Sequence, residues 1–262
     1  MKRLLGVALC LAALHAVATD WPSDPRSSGT AFLPLGLQAL QADAANSPVT
    51  LWLDKGKALW AERGTQASCQ SCHGDLSSLK RSAASFPRMA PDGKSLINLE
   101  DQIIRCRART NAPNTSSTKP ERWEDDAVLA LSAVLHNAAV GETIDVKPPL
   151  THATEWQARL LRGTQLYATR LGRINLACVH CHDQNIGKSM RADVVSPGNP
   201  TGFPIYRMSW QRLGSIDRRL RACYSGVQAS LPPAGDQVLR ELELYLKVRA
   251  NGLPVEGPSI RR

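Results

Sequence analysis

Two five-residue segments carry the first readable chemistry, Cys69-Gln70-Ser71-Cys72-His73 and Cys178-Val179-His180-Cys181-His182. Cys-x-x-Cys-His is the attachment sequence for c-type haem. Its two thiols add to the two vinyl groups of one porphyrin, and the His that follows is placed to ligate the iron. A thioredoxin-like redox pair shares the Cys spacing but does not need the His. A zinc site would need further Cys or His nearby. Two complete copies point to two covalently bound haem c groups. Cys69, Cys72, Cys178 and Cys181 are then the attachment points, and His73 and His182 each supply one axial ligand. The chain has seven cysteines. Cys10 falls in the leader, four sit in the motifs, and Cys106 and Cys223 remain. Each of these two ends a helix that follows its own motif and loop. Equivalent places suggest equivalent local jobs, and the vacant job is the second axial position on iron, which pairs His73 with Cys106 and His182 with Cys223. Met89, Met190 and Met208 compete for that position, because Met is the usual sixth ligand in such cytochromes. A Cys106–Cys223 disulfide is the remaining alternative in an exported protein.

The elements that must position these residues recur in two halves. Residues 1–18 read as a signal peptide: Lys2 and Arg3, an apolar run from Leu4, then the small-residue exit Ala16-Val17-Ala18. The run is short for a membrane span of about 20 residues, and no later segment approaches that length. The mature chain is expected to be soluble and periplasmic. Residues 19–47 form an N-terminal extension, 48–147 a first cytochrome c domain and 148–262 a second, with Pro148-Pro149 as linker. Trp52, Gly56, Leu59 and Trp60 lie on one side of a helix before the first motif. Thr154 is a candidate N-cap for the helix that carries Trp156, Leu160, Gly163 and Tyr167 before the second. Leu99, Ile103 and Cys106 mark a second helix, followed by loop at 110–120, and Glu124 to Asn137 form a third. In the second half a helix from about Trp210 reaches Cys223, and Asp236 to Arg249 form the last. Gly56 stands four residues before Trp60, and Gly163 four before Tyr167. A helix glycine permits close crossing by another helix, with the aromatic ring packed at the crossing. The reading is all-α, two class I cytochrome c domains in tandem. The formal charge of +9 comes without a long basic run, so nucleic acid is a poor partner and a small anion or acidic protein a better one.

The chain resembles the SoxA family, the catalytic cytochromes of thiosulfate oxidation, in its dihaem form. The resemblance rests on Leu99 to Cys106, on Cys178 to His182, on Leu213 to Cys223 and on Tyr245 to Gly252. It spreads over nearly the whole mature chain. It implies His/Cys ligation at both haems, with Cys223 also the sulfur-carrying catalytic residue, often modified to a persulfide. It further implies a monohaem partner, SoxX, and an acceptor cysteine on the carrier SoxYZ. The reaction expected is joining of thiosulfate to that cysteine with loss of two electrons.

The local charges distinguish the two leftover cysteines. If 212–223 is helical, Arg219 lies one turn before Cys223, and Arg212 falls farther back on the same face. The corresponding residue before Cys106 is the uncharged Gln102. Guanidinium groups give paired hydrogen bonds to oxyanions, so Arg219 is expected to hold the sulfonate. Arg249 is added to the catalytic set by the resemblance alone. Two rivals stand beside this reading, a plain electron-transfer cytochrome and a dihaem peroxidase. The first needs neither Cys223 nor Arg219, and the second needs an open iron position.

Overall fold

The computed structural model describes residues 21–22, 24–64, 67–110 and 121–262. The signal-peptide reading of residues 1–18, and most of the loop read at 110–120, lie outside them. The helices are α1 Leu35–Ala42, α2 Thr50–Ala61, α3 Cys69–His73, α4 Lys80–Ala83, α5 Leu99–Thr110, α6 Asp126–Ala138, α7 Ala153–Ala168, α8 Cys178–His182, α9 Ile216–Gly226 and α10 Gln237–Arg249. Short strands join them: β1 Arg88–Met89, β2 Leu96–Ile97, β3 Ser189–Met190, β4 Asp193–Val194, β5 Ile205–Arg207, β6 Arg212–Gly214 and β7 Ser259–Arg261. Helices carry the packing. The strands make two hairpins and one three-stranded sheet of order β6-β5-β7, which the all-α reading did not anticipate.

Two helix crossings organise the molecule, α2 on α6 and α7 on α10. Their intimacy has a simple cause. A Cβ on Gly56 would lie 2.2 Å from the Ala130 carbonyl oxygen, and one on Gly163 would lie 2.1 Å from that of Glu241. Only glycine lets the backbones meet there. Trp60 and Tyr167, one turn on, are buried against the same partners' cores. Val128, Leu131, Val134 and Leu135 on α6 are buried as their spacing predicts, and so are Leu239, Leu242 and Leu246 on α10.

Three local readings are corrected. The segment after Trp210 forms strand β6, and α9 begins only at Ile216, capped by the Ser215 hydroxyl, which accepts from the Arg218 N–H. Arg212 therefore does not share a helical face with Cys223. Its guanidinium donates to the Glu124 carbonyl oxygen and the Asp126 carboxylate. Helix α7 starts at Ala153, so Thr154 is inside it and His152 holds the flanking position at φ 64°.

The halves share a charged seam. Arg240 on α10 is 1% exposed and donates to the Asp101 carboxylate of α5 at 2.7 Å, with Asp217 and Glu243 at 3.7 and 3.9 Å. Close by, Glu100, His136, Glu243 and Lys247 are buried. The Ser132 hydroxyl donates to Glu100 at 2.7 Å, and the Asn98 amide donates to Glu243 at 3.1 Å. Residues before α2 reach far along the chain. The Asn199 amide donates to the Pro25 and Ser27 carbonyl oxygens, and Gln41 accepts from the Ile260 N–H.

Candidate active site

Each motif opens a single helical turn whose start is fixed locally. Ser68 and Ser71 form a reciprocal cap at α3, each hydroxyl accepting from the other's N–H at 2.9 Å. At α8 the His180 ring nitrogen accepts from the Ala177 N–H at 2.9 Å. The turns present Cys69, Cys72 and His73 in one half and Cys178, Cys181 and His182 in the other.

In the first half, α5 brings Cys106 to the motif. The thiols of Cys69 and Cys106 are close enough for their charges to interact. Gln102 donates to the Cys106 sulfur at 3.2 Å. Burial pushes the Cys69 thiol up against the pull of Arg107. The Trp60 indole N–H donates to the Gly74 carbonyl oxygen, and its ring stacks on that of His73 at 6.0 Å between centroids.

In the second half, α9 brings Cys223 to the motif, and the thiol shares a hydrogen bond with His182. The other face of that imidazole is fixed: Nδ1 lies 2.7 Å from the Ser196 carbonyl oxygen. Held through Nδ1, the ring has a fixed orientation and offers Nε2 as the nitrogen available to a metal. Burial would raise the Cys223 thiol, but Arg219, then the bond and charge of His182, and then Arg207 pull it down to about 7. Cys178, without such neighbours, is pushed up to about 11 by burial and by the Cys223 charge. Arg219 has no hydrogen-bond or ion-pair partner among the described residues. Arg218 and Arg221 beside it are engaged by Glu124 and by the Pro232 carbonyl oxygen.

Arg249 takes a different position. It donates to Asp183 at 2.8 Å and lies over the rings of Tyr167 and Tyr245. Its Nη1 is buried without a partner among the described residues. Met89 is buried in the first core, while Met190 and Met208 are 52% and 48% exposed. Cys106 and Cys223 are both free thiols, each beside its own motif.

These residues fit haem c. In each half one further Cys comes to the motif, near Cys69 in the first and near Cys178 and His182 in the second. Leu76, Leu79 and Ile104 stay partly exposed around the first motif, and Leu166, Leu171 and Phe203 around the second. Such half-covered apolar side chains suit a porphyrin face. The orphaned Arg249 nitrogen next to Asp183 suits an anionic group such as a propionate. Sequence reasoning did not find Ser196, Arg207 or Arg261 at this site. The pairing of β5 with β6 and β7 in one sheet, with β6 against α9, brings the two arginines within charge reach of Arg219.

Comparison with known proteins points to one family. Residues 55–144 match the family model described as SoxA/TsdA, cytochrome c domain. The L-cysteine S-thiosulfotransferase subunit SoxA of Pseudaminobacter salicylatoxidans is 32% identical over 92% of this chain and 82% of its own length. The subunit of the same name from Paracoccus pantotrophus is 30% identical over 89% and 78%. The crystal structure of SoxXA from P. pantotrophus superposes with a TM-score of 0.79 at 28% identity, covering 90% of this chain and 86% of that one.

Proposed function

Because the chain belongs to the SoxA family of L-cysteine S-thiosulfotransferase subunits, we propose that Cys223 is its sulfur-handling residue and that Arg219 binds the sulfonate. The protein is a c-type cytochrome that conjugates thiosulfate to a cysteine. The observation that carries the assignment is the asymmetry of the two leftover thiols. Cys223 lies under an otherwise unpaired arginine and against His182, whereas Cys106 accepts from neutral Gln102.

In the overall reaction, thiosulfate and the thiolate of a carrier cysteine form a new S–S bond, giving a cysteine S-thiosulfonate and releasing two electrons. Haem, when bound, supplies the acceptor for those electrons. Arg219 neutralises the sulfonate and orients the terminal sulfur towards Cys223. Arg219 and Arg207 favour the thiolate form of Cys223, which is the nucleophilic one. Arg249, fixed by Asp183 over two tyrosine rings, is a second cation for an anion entering that side. His73 with Cys106, and His182 with Cys223, would hold two haem c groups, attached through Cys69 and Cys72 and through Cys178 and Cys181. The two haems divide the chain into tandem cytochrome c domains, 48–147 and 148–262, behind the extension 19–47. The protein works in the periplasm after loss of residues 1–18, paired with the monohaem cytochrome SoxX and docking transiently with SoxYZ.

The test uses the exported protein with its partner cytochrome and a carrier. Intact mass is expected to increase by two haems. Cys223→Ala is expected to abolish thiosulfate-dependent modification of the carrier, and Cys106→Ala to perturb chiefly the first haem. Equal loss of conjugation in both variants, with both folded, would place the chemistry elsewhere. Unimpaired conjugation by Cys223→Ala would do the same.

A further inference from the structure

The three-stranded sheet places a row of arginines beside the second site. Arg207 on β5 is in register with Arg212 on β6 and with Arg261 on β7. Side chains at one register position share a face of the sheet, and like charges directly opposite each other destabilise it. Three neighbouring guanidiniums need compensation, and they receive it unequally. Arg212 is satisfied by the Glu124 carbonyl oxygen and the Asp126 carboxylate at 2.7 and 2.8 Å. Arg207 donates to the Ser209 hydroxyl at 3.1 Å and reaches a carboxylate, Asp193, only at 3.4 Å. Arg261 donates to its own neighbour's carbonyl oxygen at Ile260. The carboxylate nearest it in charge, Glu256, already accepts from Thr30 and Thr201 at 2.9 and 2.7 Å.

Arg219 approaches the same place from α9 without a partner among the described residues. It lies within charge reach of both Arg207 and Arg261. The Arg261 guanidinium and Ser196 both border Gly29, and the Ser196 carbonyl oxygen is 2.7 Å from Nδ1 of His182. One face of a sheet, one turn of a helix and the thiol therefore converge where cations outnumber available carboxylates.

We propose that Arg207 and Arg261 complete, with Arg219, a three-guanidinium site for the sulfonate of a sulfur oxyanion beside Cys223. This builds on the assignment of Cys223 as the sulfur-handling residue. A tetrahedral sulfonate presents three oxygens on one side, and guanidiniums grip such oxygens in pairs. Thiosulfate has that group, and so does the thiosulfonate formed on the carrier. A bound dianion relieves the repulsion that the protein alone leaves in place. Arg212, already neutralised, stands outside the site although it shares the row.

Sulfate serves as the probe, being an unreactive dianion of the same shape. Its affinity is measured by titration calorimetry on the haem-loaded protein at low ionic strength, where charge effects are least screened. Arg207→Gln and Arg261→Gln are each expected to weaken sulfate on the order of ten-fold, with the haem absorption spectrum unchanged. In the conjugation assay the same variants raise KM for thiosulfate by a similar factor and lower kcat less. Arg207→Lys recovers part of both, and Arg212→Gln changes neither. Sulfate affinity kept at the wild-type level in Arg207→Gln and Arg261→Gln would overturn the proposal. Loss that Arg207→Lys does not partly restore would do so too, since it would mark a packing defect. If Cys223→Ala still conjugates thiosulfate while the arginine variants lose sulfate, the catalytic assignment falls and the anion site stands.

Discussion

At Cys223, burial raises the thiol and two arginines with His182 lower it, and the cations win. Removing one of them should be felt in rate more than in fold. Arg219→Gln is expected to reduce kcat/KM for thiosulfate roughly ten- to a hundred-fold, the loss of a charged hydrogen bond of about 1.5–3 kcal/mol. Arg219→Lys keeps the charge but loses the fork and should recover only part. Carrier modification at several thiosulfate concentrations measures both. A second residue makes a prediction about acid. His136 is buried, and burial, then Lys247, hold it neutral down to about 3, while its Nδ1 stays with the Ser132 carbonyl oxygen at 3.0 Å. The unfolded chain takes up that proton near the ordinary value of 6.5. His136 thus stabilises the fold above about pH 6.5, and that contribution drains away as pH falls from there towards 3. Buried Glu100 and Glu243, both held protonated beyond the usual carboxylate range, act in the opposite sense. The comparison that isolates His136 is denaturant midpoint against pH for wild type and His136→Asn. The difference between them should change by up to about 1.4 kcal/mol per pH unit below 6. The motif residues and the Cys223–Arg219 pair were legible in the sequence because their spacing is local. Arg207, Arg261 and Ser196 were not, because strands and a loop far along the chain bring them in.

Among the elements, helix pairs were the most legible. Apolar residues at helical spacing marked α6 and α10, and the Gly-to-aromatic spacing marked both crossings before either partner helix was known to meet them. Strand β6 was missed because Arg212–Gly214 is only three residues long, too short for alternation to register, and it runs straight into the cap of α9. The cost of that miss was specific: it put Arg212 on the wrong surface. The crossings themselves are testable. Gly163→Ala puts a methyl 2.1 Å from a backbone carbonyl oxygen that cannot turn aside. The helices must separate, at a cost of about 1–3 kcal/mol or more. A fall of several degrees in Tm is expected, with Gly56→Ala behaving alike at 2.2 Å. Gly226→Ala, where a Cβ meets nothing within 4 Å, serves as the neutral control. A Gly163→Ala protein as stable as wild type would mean that the crossing tolerates wider spacing.

Across the whole molecule, Arg240 ties α5, α9 and α10 together, with three carboxylates around one guanidinium. Arg240→Ala would leave the Asp101 carboxylate without its cation and is expected to cost about 3–5 kcal/mol. The melting of the two halves should then separate into two transitions, as seen by calorimetry. No periodicity in the sequence says which distant acid an arginine will meet, so this seam could be found only in three dimensions. The same holds for strand β7, which follows every other described element and pairs in parallel with β5. A chain made from its N-terminus displays both Cys-x-x-Cys-His segments well before residues 259–261 arrive. The attachment segments and the strand that carries Arg261 are thereby separated in order of synthesis. If the proposed anion site is right, a variant lacking strand β7 would still carry both attachment segments but would lose Arg261 and leave the β5 edge unpaired.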